Sequence, residues 1–149
     1  MAPIDDTDGK ILRALLKDGR LSYRQLAKRI GVAVGTVQSR MRRMEKEGVI
    51  RGYSVLLDYE KLGYTLTVVT EITVSKGRLL EAERAIAELP LTCAVYDVTG
   101  LTDAIVIAKF KSRDELSNFT KGLLKMPFIE RTNTHVVLAT PKEDFQLPI

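Results

Sequence analysis

The sequence predicts an α+β fold, with an all-helical N-terminal part and a C-terminal part in which strands and helices alternate. Apolar residues among the first 50 positions recur at the 3.6-residue period of helices. Beyond residue 63, the period-two alternation of half-buried strands appears between further helical stretches. A chain of 149 residues with 45% hydrophobic and 28% charged residues has a globular composition and can hold two small domains.

Positive charge is concentrated in the helical part. Residues 1–52 contain 12 Lys and Arg against 6 Asp and Glu, whereas residues 53–149 contain 11 against 13. Such an imbalance suits a polyanionic partner. A basic stretch is also the ordinary composition of a solvated surface, so the helix pattern has to decide between the two interpretations.

The chain carries few residues that bind metals through sulfur or imidazole. Cys93 is the single cysteine and His135 the single histidine, which excludes an intrachain disulfide and argues against a multi-ligand metal site. We expect Cys93 to be an ordinary strand residue and His135 to make a local hydrogen bond. The sequence has no signal peptide and no apolar run near the ~20 residues of a membrane span, which predicts a cytoplasmic protein. No cofactor is expected.

Two helices are predicted before residue 32. The first begins at the acidic run Asp5–Asp8, where negative charge favours a helix start, and it ends at Asp18. Its apolar stripe contains Ile11, Leu12, Leu15 and Leu16. The second begins at Ser22, which forms an S-x-x-Q capping box with Gln25, and Gly31 ends it.

The third helix, predicted over Val34–Glu47, gives the clearest indication of function. Val37, Met41 and Met44 fall on one narrow apolar stripe. The other positions are small, polar or cationic, and they include Gly35, Thr36, Gln38, Ser39, Arg40, Arg42 and Arg43. A tight turn followed by a helix that is polar and basic outside is typical of a helix-turn-helix, which places its second helix in the DNA major groove. A solvated basic helix and a protein-docking three-helix domain are the alternatives.

The run D-T-D-G-K-I-L-R-A-L-L-K-D-G-R-L-S-Y-R-Q-L-A-K-R-I-G-V, followed by T-V-Q-S-R-M-R-R-M-E-K-E-G-V-I-R-G-Y, resembles the start of the Lrp/AsnC (feast/famine) transcriptional regulators. The resemblance implies that Gly35, Thr36, Gln38, Ser39 and Arg42 face double-stranded DNA. Gln38 can pair with adenine and Arg42 with guanine, whereas Arg40, Arg43 and Ser22 are better placed for phosphates.

One position departs from the family pattern. Ala33 stands at the start of the third helix, where the family usually has a serine. Alanine cannot cap the helix, which costs about 1 kcal/mol. Thr36 or a phosphate can satisfy the open N–H groups in its place.

The connector after the helices is predicted to be β structure. Val49–Asp58 is rich in β-branched and aromatic residues. In the family this link pairs with its counterpart from a second subunit, and a wing strand folded onto the three helices is the alternative. The predicted organisation is a (winged) helix-turn-helix domain over 1–50, a β connector over 51–63, a sheet domain over 64–140 and a tail over 141–149.

The sheet domain is predicted to follow the order β-α-β-β-α-β. Strands are expected over 64–74, 92–99, 104–110 and 129–140. The helices between them are marked by an apolar stripe before Pro90 and by a second capping box at Ser112 and Glu115. This is the ferredoxin-like arrangement with an antiparallel sheet. Helices cover one face of such a sheet, so the bare face predicts a second copy of the chain as partner.

The resemblance extends to the C-terminal half, which looks like the amino-acid-sensing domain of the same family. Its marker is the Gly-x-x-Asp hairpin Gly100, Leu101, Thr102 and Asp103. Glycine there would let backbone N–H groups approach a ligand carboxylate, and Asp103 would bind the ligand ammonium. A plain hairpin turn is the alternative. The resemblance also implies that Thr132 and Thr134 on the last strand complete the pocket from a neighbouring subunit.

Taken together, these features predict a sequence-specific transcriptional regulator that is not an enzyme. A free amino acid would act as effector, and homodimers would assemble further, into octamers by family likeness. We find no nucleophile-base pair, phosphate loop or metal cluster in the sequence. Two alternatives are an amino-acid-sensing module that acts on protein partners and a sirohaem decarboxylase-like enzyme. The tail is expected to pack on a neighbouring subunit or to fray.

Overall fold

The computed structural model describes residues 3–149, which form two compact units. The first unit contains the residues up to Leu56 together with Glu143–Ile149, and the second contains Leu57–Lys142. The tail is therefore grouped with the first unit, where Arg13 Nη1 donates a hydrogen bond of 2.8 Å to the backbone oxygen of Ile149.

The first unit is built from α1 (Asp6–Lys17), α2 (Tyr23–Ile30) and α3 (Val34–Lys46). Local sequence explains where the helices begin and end. Ser22 and Gln25 form the predicted capping box on α2, and Gly31 ends that helix with a left-handed φ of 76°. Asp5 and Asp8 form a further capping box at the start of α1. The shared core consists of Ile11, Ala14, Leu26, Ala27, Val37, Met41 and Met44.

The structure has no wing strand folded onto the three helices, because residues 51–58 form no strand in the described part of the chain. Pairing of this connector with its counterpart from a second subunit stays a prediction. Val55 and Leu56 are exposed, because this stretch has no ladder partner within its own chain. Tyr53 is held locally, since its hydroxyl donates a 2.7 Å hydrogen bond to Glu45 Oε1 of α3.

The second unit confirms the predicted order of strands and helices. It contains β1 (Leu66–Val74), α4 (Leu79–Ala87), β2 (Thr92–Asp97), β3 (Ala104–Phe110), α5 (Arg113–Leu124) and β4 (Ile129–Val136). The sheet order is β2-β3-β1-β4, and every neighbouring pair is antiparallel. Ser112 caps α5 by accepting from the Glu115 N–H, but the Glu115 carboxylate binds the N–H of Lys111, so the second capping box is not reciprocal.

The two faces of the sheet differ in what covers them. One face packs against α4 and α5, with Ile72 and Val106 of the sheet meeting Ile86 and Leu123 of the helices. The register puts alternate residues on the opposite face, which we call the open face. It carries Val69, Ile105, Ile107 and Tyr96 together with Glu71, Asn133 and His135.

Candidate nucleic-acid interface and effector site

Helix α3 is oriented as its sequence pattern predicts. Val37, Met41 and Met44 are buried in the three-helix core, and exposure of the first two would have contradicted the DNA-binding interpretation. Ala33 occupies the N-cap position without a side-chain hydrogen bond. The first N–H groups of α3 are therefore not capped by a side chain of residue 33, which suits an anion at this end.

The side of α3 opposite the core offers hydrogen-bonding groups and the charge of Arg42. Gly35, Ser39 and Arg42 are exposed and are spaced i, i+4 and i+7, so they lie on one side of the helix. Thr36 and Gln38 flank them and are half-buried. Within residues 3–149, Arg42 makes no ion pair. This surface can present a hydroxyl, an amide and a guanidinium to base edges.

Arg40 and Arg43, which the sequence predicts to contact phosphates, form ion pairs with the start of α1, and their phosphate contacts stay a prediction. Arg40 Nη1 donates to Asp5 Oδ2 and, at 3.0 Å, to Asp8 Oδ1. Arg43 Nη2 donates to Asp8 Oδ2. Both arginines flank the apolar stripe of α3 and thus reach the start of α1. We call these four residues the α1–α3 ion-pair cluster.

The cluster lowers the pKa of Asp5, its exposed carboxylate. The Arg40 guanidinium and the Asp8 backbone N–H both donate to Asp5, which holds the pKa of Asp5 at about 2. The two carboxylates in turn raise the pKa of Arg40. Asp5 and Arg40 therefore both keep their charges across the physiological pH range.

Sequence reasoning missed this cluster, although a signal for it exists. In the sequence, Asp5 and Asp8 indicate only the start of a helix, where acids are common. Acids at i and i+3 of one helix and arginines at i and i+3 of another can form a four-membered network if the helices meet there. The spacing of Arg40 and Arg43 beside a buried stripe is that signal.

Ser22 is engaged within its own helix. Its hydroxyl oxygen accepts from the Gln25 N–H at 3.3 Å and its hydroxyl group lies 2.8 Å from Gln25 Oε1. The side chain is exposed at the start of α2. A phosphate contact from Ser22 would therefore have to share the hydroxyl with the helix cap, and this contact stays a prediction.

The predicted effector hairpin is ordered by its aspartate. Gly100 has a φ of 131°, which a side chain would strain, and Leu101 is fully exposed. Asp103 Oδ2 accepts a 2.8 Å hydrogen bond from the Val74 N–H, and the Asp103 N–H donates to the Ile72 oxygen. This carboxylate thus ties the β2–β3 turn to the end of β1, whatever else it binds.

Thr132 and Thr134 lie apart from that hairpin contact. They are aligned with Ile72 and Thr70, so their side chains are on the face that α4 and α5 cover. The hydroxyls of Thr134 and the buried Thr70 are 3.1 Å apart. A single chain therefore does not bring these threonines and the Asp103 carboxylate into one hydrogen-bonded group.

The open face carries a hydrogen-bonded group of Glu71, Asn133 and His135, of which the sequence predicts only a local hydrogen bond of His135. Asn133 Nδ2 donates to Glu71 Oε2 and lies 3.1 Å from His135 Nε2, which confirms the local hydrogen bond expected for His135. Residues 3–149 contain no group of three or more His, Cys, Asp or Glu placed to hold a metal ion. None of the described helices is long and apolar enough to cross a bilayer.

Family comparisons cover both units. Residues 4–51 match the winged helix-turn-helix DNA-binding family, and residues 67–147 match the Lrp/AsnC ligand binding domain family. An uncharacterised HTH-type transcriptional regulator of Pyrococcus furiosus is 51% identical over 97% of this chain and 97% of its own. The HTH-type transcriptional regulator FL11 of Pyrococcus horikoshii is 35% identical over 99% of this chain and 97% of its own.

Solved structures share the whole architecture. A transcriptional regulator of Neisseria meningitidis in complex with L-Met has a TM-score of 0.89 and 26% identity, covering 98% of this chain and 97% of its own. AsnC of E. coli has a TM-score of 0.89 and 27% identity, covering 96% and 97%. The N-terminal unit is thus a DNA-binding helix-turn-helix and the C-terminal unit a ligand-binding domain, and the chain belongs to the Lrp/AsnC family of transcriptional regulators.

Proposed function

We propose that this regulator reads a specific DNA sequence with α3 and that a small amino acid, bound by the C-terminal unit, modulates its assembly or its DNA binding. The observation that carries the first part is the burial of Val37, Met41 and Met44, which turns Gly35, Ser39 and Arg42 to solvent. A helix with this division can enter the major groove without exposing its core.

The effector part of the proposal is supported by the hairpin Gly100–Asp103. Gly100 has a positive φ and open space where a side chain would lie, and one carboxylate oxygen of Asp103 accepts from the Val74 N–H. The other oxygen is available for a ligand ammonium. The related Neisseria regulator was solved with L-Met, which favours an amino acid as the ligand class. Thr132 and Thr134 would join the pocket from a neighbouring subunit.

Assembly of the regulator would involve the open face of the sheet. Val69, Ile107 and Ala94 are aligned across β1, β3 and β2, so they form an apolar row on that face. A second copy would bury this row and allow two α3 helices to meet half-sites a whole number of DNA turns apart. Dimers would then assemble into octamers, as the family likeness implies.

A thermal-shift screen with the twenty amino acids tests the effector. A ligand that binds only the native state raises the melting temperature, by mass action. We expect one or a few amino acids to do so, and expect the same compounds to change the mobility of the protein–DNA complex. If none of the twenty shifts the melting temperature at millimolar concentration, the proposal of an amino-acid effector is wrong, whereas the proposal that α3 reads DNA is unaffected.

A further inference from the structure

The α1–α3 ion-pair cluster joins the DNA-reading helix to a carboxylate that has no access to solvent. The side chain of Asp8 is 0% exposed, whereas those of Arg40 and Arg43 are 26% and 32% exposed. Each Asp8 oxygen accepts from a different arginine, Oδ1 from Arg40 and Oδ2 from Arg43. Asp8 is therefore the centre of the cluster, and Asp5 is its outer member.

The cluster holds two arginines in place because their release would be unfavourable. Two carboxylates and two guanidinium groups compensate one another. If Arg40 and Arg43 turned towards a phosphate, Asp8 would be left as a buried, unpaired charge, which proteins avoid. Asp8 is also part of the capping box of α1, because its carboxylate accepts a hydrogen bond from the Asp5 N–H. The two arginines are therefore paired with a carboxylate that is fixed in α1 and cannot move with them towards DNA.

We propose that Asp8 is a positioning residue for sequence reading: with Asp5, it holds Arg40 and Arg43 against α1 and keeps their charges off the DNA backbone. This inference rests on the proposed DNA reading by α3. By limiting phosphate contacts, the cluster would increase the specificity of DNA binding. Contacts with phosphates raise the affinity for every sequence alike, whereas contacts with base edges discriminate between sequences.

The consequence for binding follows from charge. Of the three arginines on α3, the cluster compensates two and leaves Arg42 uncompensated among the described residues. A helix with three uncompensated arginines would bind any duplex more tightly and would lose discrimination between sequences. The two carboxylates of α1 thus lower the affinity for non-specific DNA more than they lower the affinity for a specific site.

The test measures the dependence of DNA affinity on salt for the full-length protein and its Asp8→Asn variant. Two duplexes are used: a random-sequence duplex, and the tightest site that the unmodified protein selects from a randomised pool. We expect Asp8→Asn to bind the random duplex more tightly and to steepen the slope of log K against log salt by about 0.9 for each released arginine. The ratio of specific to random affinity should fall.

Matched variants separate this effect from a general change in charge or stability. Asp6→Asn removes an acid from the same turn of α1, but Asp6 pairs with Lys10 rather than with α3, so the slope should stay unchanged. The triple variant Asp8→Asn/Arg40→Gln/Arg43→Gln should return the slope to that of the unmodified protein. If Asp8→Asn fails to fold, the exposed Asp5→Asn releases one Arg40 contact and should steepen the slope by up to about 0.9.

The outcomes distinguish this inference from the proposed function. If the unmodified protein selects no site over random DNA, sequence reading by α3 is wrong. If it selects a site but the folded Asp8→Asn or Asp5→Asn variant loses affinity for both duplexes equally, with an unchanged salt slope, the cluster is only a structural contact and the inference is overturned.

Discussion

The carboxylate of Asp103 accepts a hydrogen bond of 2.8 Å from the backbone N–H of Val74, which fixes the β2–β3 hairpin to the end of β1. A substitution at this position therefore has two effects that must be separated. Removing the side chain disturbs the hairpin, and removing the charge disturbs a ligand ammonium.

Asp103→Asn separates these two roles. The asparagine side-chain oxygen can still accept from Val74, so we expect a melting temperature close to that of the unmodified protein. The negative charge is lost, so the amino-acid response should be abolished while DNA binding without effector is retained. Calorimetric titration with the amino acid that raises the melting temperature checks this. Unchanged affinity in Asp103→Asn would mean that the pocket is elsewhere.

Ala33→Ser should stabilise the helix-turn-helix unit. Ala33 already has the extended backbone of an N-cap residue, with φ −67° and ψ 148°, but provides no acceptor. A serine there would accept from the start of α3 and add about 1 kcal/mol to the free energy of unfolding. Urea unfolding measures this gain. Ala33→Val, which lacks an acceptor, is the control, and an equal gain in both variants would exclude capping as the cause.

The acid stability of the first unit should depend on Asp5. Its pKa of about 2 in the folded chain lies below the value of about 3.9 expected when unfolded. A depressed pKa stabilises the folded state above the unfolded value, and that contribution is lost as pH falls from about 4 to 2. Asp5→Asn keeps a capping oxygen but lacks the charge. Urea unfolding from pH 6 to 2 should show a difference between the two proteins that shrinks on acidification; a constant difference would refute the charge effect.

Ile107→Glu should prevent dimer formation. Ile107 lies between Val69 and Ala94 on the open face, so a second copy would have to bury the new carboxylate. Sedimentation velocity should show a monomer for Ile107→Glu and a dimer or larger species for the unmodified chain. Leu138→Glu is the matched control, because Leu138 is exposed outside the strands. A change of assembly in the control alone would place the interface elsewhere.

Features that depend on neighbouring residues were predictable from the sequence. Ser22 and Gln25 cap α2 through contacts three residues apart, and the stripe Val37, Met41, Met44 repeats with the helix period. The positions of the strands along the chain were predictable for the same reason, because the alternation of apolar and polar residues in β1 and β3 matches the alternation of buried and partly exposed residues. These signals are local, so they do not require knowledge of how the elements pack.

Features that depend on packing between elements were not predictable in the same way. The pairing of Arg40 and Arg43 with Asp8 joins residues 32 and 35 positions apart, and it exists only because α1 begins beside α3. The connector has a β-type sequence but lacks a strand, because no segment of its own chain pairs with it. The residues predicted to bind the effector are likewise split between the hairpin at Asp103 and the covered face at Thr134.

Sequence reading by α3 is tested most directly by the affinity of Arg42→Ala for the selected site and for variants of that site with one base pair changed. Arg42 is the arginine of α3 that no described acid compensates, so its loss should cost about 1–3 kcal/mol at the selected site and relax the preference at one base pair. Lys17→Ala, which removes an exposed charge from α1, should leave that preference intact. Equal loss of affinity on all sequences, or no loss at all, would contradict the account.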